Sequence, residues 1–233
     1  MFFDPLYLIL MGAMMLIGFG VQARLKSVIN KALTVPLKNG MTGKQVAERM
    51  LRDYGVSDVR VISVEGRLTD HYNPKDKTVN LSNDVFHGVS AASAAVAAHE
   101  VGHAVQHATA YRWLQMRSVL VPAVNVANTL MNFLFIGMAF LAFSFEMYNQ
   151  ALLLIIIAQA AITLFTLITL PVEIDASKRA LAWLDGAGLT YGEEHEQAKS
   201  ALRWAGMTYI VAALAATVQL LYFILQFMGR SDE

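Results

Sequence analysis

Two histidines and a glutamate lie close together in the stretch His99-Glu100-Val101-Gly102-His103. If this stretch is helical, the four-residue spacing puts both imidazoles on one helix face, where they can bind one metal ion. Glu100, beside them, can then act on a water molecule. The pattern indicates zinc-dependent hydrolysis, but a catalytic zinc site typically takes three protein ligands, so a third is needed.

The third ligand must come from His, Asp or Glu because the chain contains no cysteine. His107 lies eight residues after His99. On one helix this is about 12 Å, too far for both to reach an ion at roughly 2.1 Å. Glu173 is the better candidate, because it follows an apolar stretch and is expected to begin a helix. A carboxylate at the end of a membrane span can also be a simple interfacial charge.

The elements that must position these residues belong to a membrane protein. Hydrophobic residues make up 56% of the chain and charged residues 15%, against roughly 25% charged in a soluble domain. Four stretches carry no charge, and each is at least 19 residues long, enough to cross a bilayer as a helix. We predict transmembrane helices at 5–23, 118–145, 150–172 and 205–229, a domain at 24–117 with the HExxH helix, and a second segment at 173–204.

The positive charges predict the orientation. Of 18 Lys and Arg residues, 17 fall in 24–117 or 173–204, which places both segments in the cytoplasm by the positive-inside rule.

The first span is expected to stay as an anchor, because its leader carries Asp4 where a signal peptide carries cations. Net charge is zero and no basic run is present, which excludes nucleic-acid binding.

Two helices are predicted outside the membrane. A capping box at Thr42-Gly43-Lys44-Gln45 opens the first, which continues through Leu51 until Gly55 ends it. The second is the alanine-rich stretch from Ala91 to about Ala110, which Ser90 can cap. The HExxH motif lies in this second helix.

Three strands are predicted between these helices, at 59–64, 71–72 and 78–81. The last two bracket a turn at 73–76 and would form a hairpin. Thr78, Val79, Asn80 and Leu81 are candidates for an edge strand that holds an extended peptide substrate through its main chain. A hairpin buried in the core is the alternative reading of the same residues.

The chain resembles a known class of membrane enzymes. The HExxH motif, followed about 70 residues later by Glu173-x-x-Ala176, resembles the gluzincin arrangement of HtpX-type and CAAX-prenyl-protease-type metallopeptidases. The whole chain is more similar to the YugP-like bacterial membrane zinc metallopeptidases. Three stretches carry this resemblance, namely Thr78-Val79-Asn80-Leu81-Ser82, Ala98-His99-Glu100-Val101-Gly102-His103-Ala104 and Pro171-Val172-Glu173-Ile174-Asp175-Ala176-Ser177.

The resemblance implies a fold, a cofactor and roles for particular residues. The fold would be an α-helical integral membrane protein with four transmembrane helices and a small α+β zincin-type (gluzincin) catalytic domain. His99, His103 and Glu173 would bind one Zn2+ per chain, and Glu100 would be the general base. The protein would be a multi-pass protein of the bacterial cytoplasmic (inner) membrane, with its catalytic loops facing the cytoplasm.

This chain departs from the gluzincin pattern after Glu173. Many gluzincins place an Asp four residues after the ligand Glu, where it orients a zinc histidine, whereas this chain has Ser177 there. Asp175 could take that role or face solvent.

An oxyanion formed during hydrolysis also needs a stabilising donor. Arg179, Tyr191 and His195 are the candidates, although each could be an ordinary surface residue.

The expected function is peptide hydrolysis near the cytoplasmic membrane face, in the quality control of membrane proteins. Its partners would be a peptide or membrane-protein substrate and the lipid bilayer. One alternative is a site-2-type intramembrane protease, because Leu184-Asp185-Gly186 matches the motif that carries that family's third ligand. The other is a non-enzymatic membrane scaffold with a vestigial zinc site.

Overall fold

The computed structural model describes residues 4–140 and 145–229, and within them it is mostly helical. The helices are α1 (Pro5–Leu33), α2 (Gly43–Asp53), α3 (Asn83–Phe86), α4 (Ala91–Ala108), α5 (Arg112–Phe140), α6 (Phe145–Gly186) and α7 (Glu193–Met228). The strands are β1 (Arg60–Val64), β2 (His71–Asn73) and β3 (Thr78–Ser82).

Four of the described helices, α1, α5, α6 and α7, are long and apolar enough to cross a membrane. This matches the expected number of spans. The predicted span 118–145 ends among residues 141–144, which lie outside the described residues.

Helix α6 does not end where the charge-free stretch ends. It continues through Pro171 to Gly186, so Glu173 lies inside a long helix instead of beginning a new one. Proline removes the hydrogen bond from its own nitrogen to the carbonyl of Leu167, and its ring crowds that carbonyl, but membrane helices tolerate such a local disturbance. The expectation of a helix start at Glu173 is therefore wrong.

The described residues form two compact units. The first unit, residues 4–20, 116–140, 145–170 and 209–229, holds most of the apolar helical segments. Within it, the side chains of Gln159 and Thr163 on α6 both donate to the backbone carbonyl of Ala216 on α7, each at 3.1 Å. Such polar contacts hold membrane helices together, because no water is present to compete for them.

The second unit, residues 21–115 and 171–208, contains α2, α4, the sheet, the C-terminal part of α6 and the N-terminal part of α7. The expected capping box is present. The Thr42 side chain accepts a hydrogen bond from the backbone N–H of Gln45, and the Gln45 side chain accepts one from the backbone N–H of Thr42. Ser90 caps α4 by accepting from the amide of Ser93. Alanine-rich α4 is almost completely buried, since small side chains let its neighbours approach on all sides.

The sheet has the order β1-β3-β2, with β3 parallel to β1 and antiparallel to β2. All five residues of β3 are buried. The candidate substrate strand Thr78, Val79, Asn80 and Leu81 therefore lies at the centre of the sheet, and its main-chain groups face strands on both sides. The expectation of an edge strand here is wrong, and the hairpin in the core is the reading that the structure bears out.

Candidate metal centre

Helix α4 presents its two motif histidines on one face. The ring centroids of His99 and His103 lie 4.8 Å apart with their planes nearly perpendicular. Glu173 reaches this pair from α6, and its Oε2 atom lies 3.3 Å from His99 Nε2 and 3.5 Å from His103 Nε2. The three ligand atoms all lie within 4.8 Å of one another, so the group can hold a metal ion.

A buried amide beyond the ligands determines the protonation of His103. Gln106 is fully buried, and its Nε2 donates to the carbonyl of Val172 and to Oδ2 of Asp175, both at 2.8 Å. Because both partners only accept, the amide orientation is determined, and its Oε1 must accept from His103 Nδ1 at 3.0 Å. His103 therefore carries a proton on Nδ1.

This protonation makes the centre suited to a cation. With its proton on Nδ1, a neutral His103 directs the lone pair of Nε2 towards the carboxylate of Glu173. Two electron-rich atoms repel each other unless a proton or a cation lies between them. The donor set of two imidazoles and one carboxylate is also a ligand set that zinc takes in catalytic sites. The residues present thus fit a zinc ion.

The electrostatics of His103 agree with this arrangement. Burial by itself lowers the pKa of His103, but the hydrogen bond to Glu173, the charges of Glu100 and Glu173, and Gln106 outweigh burial and raise the pKa above its ordinary value. A positive charge is therefore favoured at this position. In the presence of zinc the ion would supply that charge in place of the proton.

His99 has a different partner behind it. Its Nδ1 lies 3.2 Å from the Oγ of Ser177, one helical turn after Glu173. Ser177 thus contacts the candidate ligand His99 from the position where the gluzincin pattern has Asp. Both candidate histidine ligands therefore have neutral partners, a hydroxyl and an amide, where a carboxylate is common.

Asp175 is connected to the centre indirectly. Its Oδ2 accepts from Gln106 and, at 2.6 Å, from the Nε of Arg179. Asp175 therefore does not contact a candidate ligand directly. It accepts a hydrogen bond from the Gln106 side chain, which in turn contacts His103. The guanidinium of Arg179 also lies 5.8 Å from the ring centroid of Tyr111.

Glu100 lies beside the ligand pair on α4 and is only 9% exposed. Its charge contributes to raising the pKa of His103, so the carboxylate is near the centre. No residue in the described part of the chain forms a hydrogen bond or an ion pair with this carboxylate. It is therefore available to a water molecule.

Tyr191 and His195, the other two candidates for oxyanion stabilisation, form no hydrogen bond with the candidate ligands among the described residues. Tyr191 is 60% exposed in the loop before α7, where its backbone amide donates to Glu194. His195 contacts the Oγ1 of Thr190 at 3.1 Å through its Nδ1. Of the three candidates, Arg179 is the one that hydrogen bonds link to the centre, through Asp175 and Gln106.

Two rival ligands do not join the group. The Nδ1 of His107 lies 2.8 Å from the hydroxyl of Tyr72 on β2, away from the pair of motif histidines, as its spacing predicts. Asp185 is exposed at the end of α6 and is not part of the group with His99 and His103. The ligand set of the site-2-type alternative is therefore not assembled among the described residues.

Sequence reasoning did not single out Gln106 as a functional residue. It follows His103 by three positions, so the two side chains lie on one helix face. That spacing was a usable signal. The partners on α6, however, are more than sixty residues away in the chain and only the fold brings them together.

Four apolar helices and a group of His99, His103 and Glu173 that can hold a metal ion are consistent with what the comparisons with known proteins show. The chain belongs to a zinc peptidase family, since the family model described as "Putative neutral zinc metallopeptidase" matches residues 7–228. It is similar to the "Putative membrane protease YugP" of Bacillus subtilis (strain 168), with 38% identity over 228 residues that cover 98% of this chain and 99% of that protein. The resemblance to the YugP-like family is thereby confirmed. No solved structure matches the chain.

Proposed function

We propose that this protein is a zinc-dependent endopeptidase of the gluzincin type that cleaves peptide bonds at a membrane. The observation that carries the proposal is the convergence of His99, His103 and Glu173 beside Glu100, whose carboxylate accepts no hydrogen bond from any described residue. Membership of a zinc peptidase family supports the same activity.

The residues of the chain have separate tasks in this mechanism. When bound, zinc supplies Lewis-acid chemistry, which polarises a scissile carbonyl and lets water lose a proton near neutral pH. Glu100 accepts that proton on its carboxylate and later delivers it to the leaving amine nitrogen. Gln106 and Ser177 keep the imidazole rings of His103 and His99 oriented meanwhile.

The proposed place of action is the cytoplasmic face of the bacterial inner membrane. Glu173 directly follows the charge-free stretch 147–172, so a zinc ion held by Glu173 would lie near the end of a span. The concentration of Lys and Arg in 24–117 and 173–204 supports the cytoplasmic side.

The proposed substrates are loops and flexible tails of membrane proteins. A zinc ion near the membrane surface reaches chain that leaves the bilayer or hangs loosely beside it, whereas the strands of folded soluble proteins are already paired. Removal of damaged membrane proteins is the role that this selection suits. A vestigial scaffold, the remaining alternative, would have no reason to keep Glu100 and three ligands together.

Activity is tested with the purified full chain in nanodiscs, on one unstructured sequence offered in two forms. In one form it is tethered beside a transmembrane helix, and in the other it is free in solution. We expect cleavage of the tethered form by the wild type, and a loss of about 10²–10⁴-fold in Glu100→Gln with zinc retained. His107→Ala is the matched control and should cleave normally.

The possible outcomes separate the parts of the proposal. Equal cleavage of tethered and free substrate, at matched effective concentration, would reject selection by membrane proximity and leave the peptidase intact. Unchanged cleavage in Glu100→Gln would reject the mechanism. Retained zinc without cleavage of any peptide would favour the scaffold.

A further inference from the structure

Helix α5 carries a row of polar side chains on its outer surface, inside a stretch without charge. Asn125, Asn128, Thr129 and Asn132 are all exposed. With about 100° between successive residues, they fall within an arc of roughly 100° on one face of the helix. We call these four residues the amide face.

The amide face lies at the depth of the hydrocarbon layer. Asn125 and Asn132 follow Ser118, where the charge-free stretch begins, by seven and fourteen residues. At about 1.5 Å per residue these positions are roughly 10 and 21 Å into a layer roughly 30 Å thick. Their amides would therefore meet lipid chains, which offer neither donor nor acceptor.

The other helices, as far as the structure describes them, do not satisfy these amides. In the described part of the chain, no side-chain hydrogen bond is formed by the amide groups of Asn125, Asn128 or Asn132. The hydroxyl of Thr129 alone has a partner, the backbone carbonyl of Asn125 at 3.0 Å. By contrast, Gln159 on α6 is buried and donates to α7. An unpaired amide in hydrocarbon is costly, so the amide face needs a partner from outside the chain.

We propose that the amide face is the contact surface with α5 of a second copy of this chain, in a parallel dimer. Asn125 and Asn132 are seven residues apart with Asn128 between them, the spacing at which two helices meet along a left-handed seam. Two copies inserted the same way are related by a two-fold axis along the membrane normal, so each amide meets its own counterpart.

Self-complementarity favours a second copy over a substrate helix. A carboxamide both donates and accepts, so two identical amides facing each other satisfy one another. The backbone groups of a substrate helix are already paired within that helix. Such a helix would have to supply polar side chains at three matching depths, which a range of substrates cannot do. The dimer requires nothing beyond the chain itself.

Disulfide cross-linking tests the dimer directly, because the natural chain contains no cysteine. Val121 lies seven residues before Asn128, and Ile136 lies seven residues after Thr129, so both continue the amide face and leave it intact when changed. Val121 is 41% and Ile136 is 58% exposed. Single variants Val121→Cys and Ile136→Cys are oxidised in membranes that contain the full chain.

The matched controls sit on the same helix but off the amide face. Val119 and Val126 are 77% and 69% exposed, and each is about a third of a turn away from Asn125. A disulfide requires Cα atoms within roughly 7 Å, so we expect about tenfold more linked dimer at Val121 and Ile136 than at these controls. Helical content and elution of every variant are compared with the wild type, to exclude misfolding.

The second arm removes the amides. In the Val121→Cys background, Asn125, Asn128 and Asn132 are all changed to Leu, which should reduce the linked dimer to the level of the controls. The proposal is overturned if cross-linking is equal on and off the amide face, or if neither Val121→Cys nor Ile136→Cys forms a linked dimer. It is also overturned if the three Leu substitutions leave the amount of linked dimer unchanged. Linking mainly to another polypeptide would overturn it in favour of a substrate or partner helix.

Discussion

The backbones of Gly102 and Ala176 lie directly against each other, so that a Cβ atom on Gly102 would come 2.8 Å from the carbonyl oxygen of Ala176. This contact joins α4 to α6 inside the second unit. Ala176 is fully buried and follows Glu173 by three residues. The approach of Glu173 to the two histidines therefore depends on a residue without a side chain in the middle of the HExxH motif.

Gly102→Ala is expected to separate the two helices and weaken the centre. Overpacking of this kind typically costs about 1–3 kcal/mol, because the obstructing atoms belong to a helix backbone and cannot turn aside. We expect a lower melting temperature and a lower zinc content, measured by thermal unfolding and by metal analysis of the purified protein. Gly206→Ala on α7 is the matched control, since its Cβ would meet nothing within 4 Å. An unchanged zinc content in Gly102→Ala would contradict this account.

Replacement of Gln106 by Leu should weaken zinc binding beyond any general loss of stability. The change removes the acceptor for His103 Nδ1, and loss of such a partner typically costs about 10–100-fold in metal affinity. The affinity is measured by competition with a chelator. Gln159→Leu is the control, because it also removes a buried amide that donates to a helix carbonyl, but away from the centre. If both variants lower zinc affinity equally, Gln106 has no specific role.

Zinc content should follow the three ligands. We expect one zinc per wild-type chain and strong depletion when His99, His103 or Glu173 is changed to Ala, because each supplies one ligand atom. His107→Ala and Asp185→Ala should keep the metal. Full retention in Glu173→Ala would reject the gluzincin assignment, and loss in Asp185→Ala would revive the site-2-type alternative.

The orientation in the membrane can be tested with single cysteines. Ser57 and Met147 are exposed, and the positive-inside rule assigns them to opposite sides of the membrane. In intact cells an impermeant thiol reagent should label Met147→Cys and spare Ser57→Cys, and both should react after permeabilisation. The reverse pattern would move the candidate centre to the outer side of the membrane.

Local patterns predicted most of the elements correctly. The capping box at Thr42, the cap at Ser90 and the β-branched runs before the HExxH helix predict α2, α4 and the three strands to within a few residues. These features depend on neighbours in the chain, which is why a sequence reveals them. Whether the helix ends at Pro171 could not be predicted from local sequence. The packing of the rest of α6 stabilises the helix through the proline.

What the sequence by itself determined is the set of candidate ligands: an HExxH motif on a helix, a chain without cysteine, and Glu173 as the best remaining candidate. Only the tertiary structure decided the order of the strands, which put β3 at the centre of the sheet, and the contacts of Gln106 and Ser177 behind the two histidines. The physical reason is distance along the chain. Spacing within one helix follows from its regular geometry, whereas pairing between strands and packing between α4 and α6 depend on the shape of all the side chains between them.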